Sequence, residues 1–119
     1  MSFEEILLNV IDEEFSSLGG TCQKIIYFYL KKEYNLERQE IPFNIKEFSQ
    51  AIESMFKNGA TILQIRIMEN LYRKMGYISQ CLYEKETLDF VEYIQAAKAT
   101  IYQEEEIENP LFSPRVKVF

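Results

Sequence analysis

A chain of 119 residues is long enough to form one domain with its own hydrophobic core. Hydrophobic residues at 47% and charged residues at 27% are typical of globular proteins and exclude a disordered chain. The chain has no histidine, which excludes Ser–His and Cys–His nucleophiles, and its net charge of −6 opposes binding of the whole molecule to nucleic acid or to an anionic membrane.

The charge is unevenly distributed along the chain. Residues 1–20 carry −5 without a single base, residues 21–76 carry +3, and residues 77–119 carry −4. An acidic start is the reverse of a secretory signal, and no apolar run approaches the roughly 18 residues that span a bilayer. We therefore expect a cytoplasmic protein with no membrane partner.

The first predicted helix runs from Phe3 to Leu18, where apolar residues recur at helical spacing. Ser2 and Glu5 have the spacing of a capping box, and Gly19-Gly20 ends the helix. Its acidic run at residues 12–14 is expected to be a solvated face, because consecutive helical residues point in different directions.

The second predicted helix runs from Thr21, as its cap, to Tyr34, and Asn35 is expected to stop it in a left-handed conformation. Its centre, residues 25–30, is apolar on nearly every side. A helix of this kind usually lies at the centre of a fold. We therefore expect this helix to be central.

A connector follows at residues 36–43, where Pro42 disfavours helical geometry and where Ile41 and Phe43 are expected to pack on the core. Asn44 is predicted to cap a third helix, with Glu47 at the capping-box position. Its apolar residues are Ile45, Phe48, Ile52, Met55 and Phe56, and Asn58-Gly59 closes it.

Two longer helices are predicted next. The fourth spans Ala60 to Met75, with an inner stripe of Ile62, Leu63, Ile67, Leu71 and Met75. Residues 77–83 fit either a helical turn or a loop. A fifth helix at residues 84–105 has the stripe Leu88, Val91, Ile94, Ala97 and Ile101, with Phe90 and Tyr93 beside it.

The predicted fold is therefore an all-α bundle of about five helices, formed by residues 1–106 as a single domain, with an irregular C-terminal tail at residues 107–119. Pro110 and Pro114 restrict the tail. Its apolar residues are Leu111, Phe112, Val116, Val118 and Phe119.

A family resemblance covers residues 3–76. Its motifs are Tyr27 and Leu30, Lys-Lys-Glu-Tyr at 31–34, Ile41-Pro42, Phe48, Phe56, Gly59-Ala60 and a helix that ends Leu-Tyr-Arg-Lys-Met-Gly at 71–76. This pattern resembles the NitrOD-type domain, a small archaeal helical family regarded as an output domain of signalling proteins. The family pattern has a glycine after the phenylalanine that corresponds to Phe56, whereas this chain has Lys57. The resemblance implies an archaeal origin, a regulatory role and no catalytic residues.

Three classes of function can be weighed from residue types, and the first is a carboxylate-based metalloenzyme. The acids at 12–14, those at 104–108, and Glu86, Asp89 and Glu92 at three-residue spacing are its candidate ligands. With no histidine to join them, and with two cysteines too few for a zinc site, this alternative is disfavoured. No cofactor or metal is expected, and the chain is not expected to be an enzyme.

The second class is a nucleic-acid-binding transcriptional regulator that uses the basic face of the second to fourth helices. Arg66, Arg73 and Lys74 are its candidate phosphate contacts. The connector at 36–43 is too long for a tight helix-turn-helix, and the net charge is unfavourable. This alternative stays open as the rival.

The third class, a protein-interaction or regulatory module, is favoured, with a protein partner or a second copy of the chain. On the fifth helix Ala96, Ala97 and Ala99 would allow another helix to approach closely, with Ile101 beside them. The tail offers a second docking element. The candidate interaction residues are Ala96, Ala97, Ile101, Leu111, Phe112, Val116, Val118 and Phe119.

Overall fold

The chain folds as a bundle of α-helices. The computed structural model describes residues 2–75 and 89–108, and the side chains of residues 2–75 and 89–99. These residues form α1 (Phe3–Ser16), α2 (Gly20–Tyr34), α3 (Ile45–Phe56), α4 (Ala60–Met75) and α5 (Phe90–Glu108), with short 3-10 helices at Arg38–Phe43 and Lys57–Gly59. The predicted all-α architecture is confirmed.

Helix α1 lies at the centre of the bundle. It packs against α2, the 3-10 helix at 38–43, and α4. Its buried apolar residues are Phe3, Leu7, Val10, Ile11 and Phe15. The predicted capping box is present, because the Glu5 amide donates to Ser2 Oγ at 3.2 Å and the Ser2 amide donates to Glu5 Oε1 at 3.1 Å. The helix ends at Ser16, two residues earlier than predicted.

A line of aromatic rings crosses the core. Phe15 on α1 meets Tyr27 on α2 edge-on, with ring centroids 5.4 Å apart. On its other side Phe15 lies 6.2 Å from Phe48 on α3, and Phe48 lies 6.2 Å from Phe90 on α5. Edge-on and tilted pairs of this kind stabilise a core beyond simple burial. The line therefore ties four helices to one another.

Helix α2 lies at the edge of the bundle, so the prediction that it is central is wrong. It packs on α1 and α3, and only Ile26 and Leu30 are buried in it. Thr21 does not cap it, because the helix begins one residue earlier, after Gly19 at φ +112°. An edge helix can bury only one side. The apolar residues on its other sides are therefore left in solvent.

Within the described ranges, two residues other than glycine, Asn35 and Lys57, have a positive φ. Asn35 ends α2 in the left-handed conformation, as predicted, and the amide of Leu36 donates to the carbonyl of Leu30 at 3.0 Å. Lys57 ends α3 at φ +53° and ψ −120°, a conformation that glycine adopts without strain and other residues adopt at a cost. A glycine, as in the NitrOD-type pattern, would relieve that strain.

The connector at 36–43 differs from its prediction. It forms a 3-10 helix that buries Ile41 and Pro42, but Phe43 is 67% exposed and lies under the ammonium of Lys98, 5.6 Å from the ring centroid. Asn44 precedes α3 as expected, yet its side chain donates to the carbonyl of Glu40 at 2.9 Å and does not cap the helix. The chain must still turn here, and the 3-10 helix provides the turn.

Helix α4 has the predicted bounds, and four residues of its predicted inner stripe, Leu63, Ile67, Leu71 and Met75, are buried. Ile62 is 64% exposed, because it lies on the side opposite Ala60, Leu63 and Ile67. Buried polar residues share the inner face, and Gln64 Nε2 donates to Ser49 Oγ at 3.1 Å. Gln64 and Asn70 were not predicted to face inward, because they are polar by type, yet both are buried.

Helix α5 buries Phe90, Tyr93, Ile94 and Ala97 against α3 and α4. It continues to Glu108, so residues 107–108 belong to the helix and not to the predicted tail. Residues 76–88 and 109–119 lie outside the described residues, and with them the undecided segment at 77–83, the predicted start of the fifth helix, and Leu111, Phe112, Val116, Val118 and Phe119. No helix in the described ranges is both long enough and apolar enough to span a membrane.

Candidate functional site

The acidic run of α1 is engaged by neighbouring elements, contrary to the prediction of a solvated face. Arg38 Nε donates to Asp12 Oδ1 at 3.0 Å, and the Tyr27 hydroxyl donates to the same carboxylate oxygen. Burial disfavours the ionised form of Asp12, but the hydrogen bonds from Arg38 and Tyr27 outweigh it and hold the pKa of Asp12 below its usual range. Asp12 thus joins α1 to α2 and to the 3-10 helix.

The next two acids join α1 to α4. Glu14 is buried, accepts from Arg66 Nε at 3.1 Å, and accepts from Asn70 Nδ2 at 2.9 Å. Glu13 accepts from Asn70 Nδ2 at 3.0 Å and from Lys74 Nζ at 2.9 Å. These bonds hold the pKa of Glu13 below its usual range. The three consecutive acids therefore join α1 to two sets of neighbours: Asp12 to α2 and the 3-10 helix, and Glu13 and Glu14 to α4.

These contacts weaken the predicted nucleic-acid face. Arg66 and Lys74 both bind acids of α1, at 3.1 Å and 2.9 Å. The charge of Arg73 also contributes to the low pKa of Glu13. A base that an acid already neutralises offers little attraction to a phosphate. The three candidate phosphate contacts therefore do not form a free basic surface.

The metal-ligand candidates have structural roles where they are described. Asp89 precedes α5, accepts from the Glu92 amide at 2.8 Å and donates its own amide to Glu92 Oε1 at 3.4 Å, so these two residues form a capping box. Glu86 and the side chains at 104–108 lie outside the described residues. Among the side chains that the structure does describe, no three acids or cysteines are grouped to hold a metal ion.

An open groove of about 460 Å³ runs along the outer side of α1, lined by Ile6, Asn9, Asp12, Glu13 and Lys74. Its ionisable groups are these two carboxylates and the ammonium of Lys74, which donates to Glu13. Because the pKa values of the carboxylates are lowered, both carboxylates are weak bases at neutral pH, and a general base works best with a pKa near the working pH. Neither carboxylate of the groove therefore has the pKa that favours a general base at neutral pH.

Of the predicted interaction residues on α5, the structure describes the side chains of Ala96 and Ala97. Ala97 is fully buried against its own bundle, so it is not available to a partner, and Ala96 is half-buried. The side chain of Ile101 lies outside the described residues. Of the three small residues that were expected to permit close approach of another helix, Ala97 packs within the chain and Ala99 is exposed.

The outer face of α2 is the surface that the sequence reasoning missed. We use this name for Ile25, Phe28 and Tyr29 together with Lys24, Lys31 and Lys32. Ile25, Phe28 and Tyr29 are 49%, 58% and 45% exposed. The two rings meet edge-on with centroids 5.9 Å apart, and Lys32 Nζ lies 5.6 Å from the centroid of Phe28.

A signal for this face was present in the sequence. Lys24, Lys31 and Lys32 fall on the same side of a helix as Phe28. Lysine is almost never fully buried without a partner, so these positions mark the solvent side even though aromatic residues share it. If the positions of the lysines are given more weight than the number of apolar residues, the sequence predicts that α2 lies at an edge of the bundle.

Comparisons with family models, curated proteins and solved structures give no match. The resemblance to the NitrOD-type domain therefore stays an expectation from the sequence.

Proposed function

We propose that this chain is a non-catalytic protein-interaction or regulatory module whose docking surface is the outer face of α2. The observation that carries the proposal is the exposure of Ile25, Phe28 and Tyr29 at adjacent positions on one helix. Single exposed apolar residues are ordinary, but a contiguous group rimmed by polar residues is typical of an interaction site.

The energetics of this face suit binding. Full burial of a phenylalanine or isoleucine side chain contributes about 1.5–3 kcal/mol. Aromatic residues near the centre of a patch are also typical binding hot spots, and Phe28 has both Ile25 and Tyr29 beside it. A partner that covers these three side chains would therefore gain several times the thermal energy.

The acids of α1 support a non-catalytic role. Asp12 and Glu13 are held by Arg38 and Lys74 with lowered pKa values, and Glu14 is buried with Arg66 and Asn70. Groups bound in this way stabilise the junctions between helices. The resemblance to an output domain of signalling proteins supports a regulatory setting.

The partner is another protein or a second copy of the chain. Light scattering at high protein concentration distinguishes these two cases, because a dimer has twice the 14.2 kDa of one chain. Sedimentation of the Phe28→Glu variant at the same concentration shows whether any dimer depends on the outer face of α2.

The test of the proposal is capture from native extract with three baits: wild type, Phe28→Glu and Phe43→Glu. Phe43 is the matched control, because it is also an exposed phenylalanine but belongs to the 3-10 helix at 38–43 and lies beside Lys98 of α5. We expect a protein that wild type and Phe43→Glu retain, that Phe28→Glu loses, and that nuclease treatment does not release. Equal retention by all three baits would contradict the proposal.

A further inference from the structure

We infer that the outer face of α2 binds an acidic amphipathic segment of another protein, in which large apolar side chains and glutamate or aspartate recur at helical spacing. The inference rests on the proposed function and adds the chemistry of the partner. It comes from the arrangement of lysines around Phe28.

The arrangement follows from helix geometry. At about 100° per residue, Phe28 lies nearly opposite the buried pair Ile26 and Leu30, so it points directly away from the core. Lys24 and Lys31 lie about 40° and 60° to one side of it. Lys32 and Ile25 lie about as far to the other side, and Tyr29 lies beyond Ile25.

Phe28 is thus flanked by three ammonium groups, whereas the exposed acid Glu33 lies about 40° beyond Tyr29. Lys24, Lys31 and Lys32 are all exposed. Lys31 lies 3.8 Å from the carboxylate of Glu37, and because both side chains are largely exposed, solvent screens this pair and leaves it weak. Lys32 lies over the face of Phe28, next to the place where a partner's apolar side chain would pack. A partner that covers Phe28 must therefore come close to positive charge on both sides.

Charge complementarity distinguishes between the molecules that could bind to the outer face of α2. Two copies of this face in a two-fold dimer would place lysines close to lysines, which opposes a second copy. An extended polyanion or an anionic membrane would also meet the rest of a molecule whose net charge is −6. A short acidic segment meets only the local charge, because the field is screened within about 8 Å at physiological salt. Acids at the edges of an apolar strip fit this face best.

The surface is a ridge and not a groove, which defines the mode of contact. The partner packs its apolar side chains on both sides of Phe28, in the way that two helices pack side by side. Its acids then reach Lys24 and Lys32 from the flanks. Phe28 supplies affinity in this arrangement, and the lysines supply selectivity for acidic sequences and a faster encounter.

The experiment is selection of a displayed library of random 16-residue peptides on the full chain, followed by binding of the selected peptides as synthetic, labelled probes. We expect the selected sequences to be enriched in Asp and Glu and to carry Leu, Ile or Phe at spacings of three and four. Phe28→Glu should weaken the probes by more than roughly 30-fold, as expected for a hot spot. Lys24→Glu/Lys32→Glu should weaken them about tenfold, and Phe43→Glu should leave them unchanged.

The outcomes separate this inference from the proposed function. Probes that lose affinity for Phe28→Glu but carry no excess of Asp and Glu overturn the inference. So do probes that bind Lys24→Glu/Lys32→Glu as tightly as wild type. In both cases the proposal that the outer face of α2 is a docking surface is unaffected. Probes that bind Phe28→Glu as well as wild type overturn both.

Other occupants would also be detected. A library that yields no binder better than the Phe28→Glu background overturns the inference. A wild-type dimer that the Phe28→Glu substitution dissociates also overturns it. The same holds if the chain binds phosphatidylserine vesicles or a 20-nucleotide single strand more tightly than any probe. Far-ultraviolet circular dichroism of each variant verifies that the helices are intact.

Discussion

Helices α1 and α2 are neighbours of almost equal length, 14 and 15 residues, and their surroundings differ completely. Helix α1 has neighbours on three sides and buries six residues, one of them the acid Glu14. Helix α2 buries two residues and leaves a phenylalanine, two tyrosines and an isoleucine exposed. The contrast shows that the number of apolar residues in a helix does not determine how deeply it lies.

The largest expected effect lies at the aromatic line where α1 meets α2 and α3. Phe15→Ala removes a fully buried ring that contacts Tyr27 and Phe48, so it should lower the free energy of unfolding by about 3–5 kcal/mol. Urea denaturation followed by circular dichroism measures this loss. A loss below about 1 kcal/mol would show that α1 is not central to the core.

The acids of α1 allow a second test of its integration. Glu14→Ala removes the acceptor of Arg66 Nε and one of the two carboxylates that accept from the buried amide of Asn70, so we expect a loss of about 2 kcal/mol. The matched control is Glu13→Ala, whose carboxylate is half exposed and should cost less than about 1 kcal/mol. Equal losses at the two neighbouring positions would contradict the burial of Glu14.

Much of the fold could be predicted from local patterns. The bounds of α4, the capping box at Ser2 and the left-handed stop at Asn35 follow from short-range rules that act within a few residues. The partners of the acids could not be predicted, because Glu14 meets Arg66 across 52 positions and Asp12 meets Arg38 across 26. Such contacts depend on how helices pack, which periodicity does not encode.

The candidate surface was missed for a related reason. Periodicity identifies an apolar side chain on a helix but does not say whether another helix covers it. Ile26 and Phe28 are both apolar members of one run, yet Ile26 is buried and Phe28 is 58% exposed. The lysines at 24, 31 and 32 held the missing information, since they mark the side of α2 that faces water.

The connection between the two helices provides a third test. Gly19 has φ +112°, so Gly19→Ala should destabilise the protein by about 1–2 kcal/mol through backbone strain, although an added methyl group would meet no atom within 4 Å. Gly20, the first residue of α2, has an ordinary φ and equally open space, so Gly20→Ala should stabilise the protein by about 0.5 kcal/mol. Thermal unfolding of the two variants should shift in opposite directions. Shifts of the same sign would contradict this geometry.

A smaller effect should appear in the pH dependence of stability. Because the folded-state pKa values of Asp12 and Glu13 are lowered, their pairs stabilise the fold above the unfolded values of about 4. This contribution is lost as the pH falls through the lower folded values. Solvent screens both pairs, so each contributes at most about 1 kcal/mol. The stability difference between wild type and Asp12→Asn should therefore shrink between pH 6 and pH 3, and a constant difference would contradict the lowered pKa of Asp12.

The smallest expected change in stability is at Phe28, and this small change is informative. Phe28→Ser removes a ring that is 58% exposed, so the free energy of unfolding should change by less than about 0.5 kcal/mol, against several kcal/mol for Phe15→Ala. A loss above about 1 kcal/mol would mean that the ring stabilises its own fold, and the reason for proposing a docking surface would disappear. Unchanged stability together with lost binding would show that the Phe28 ring serves binding to a partner and not the stability of the core. In that case α1 and α2 have different roles, because α1 stabilises the bundle and α2 provides the binding surface for another molecule.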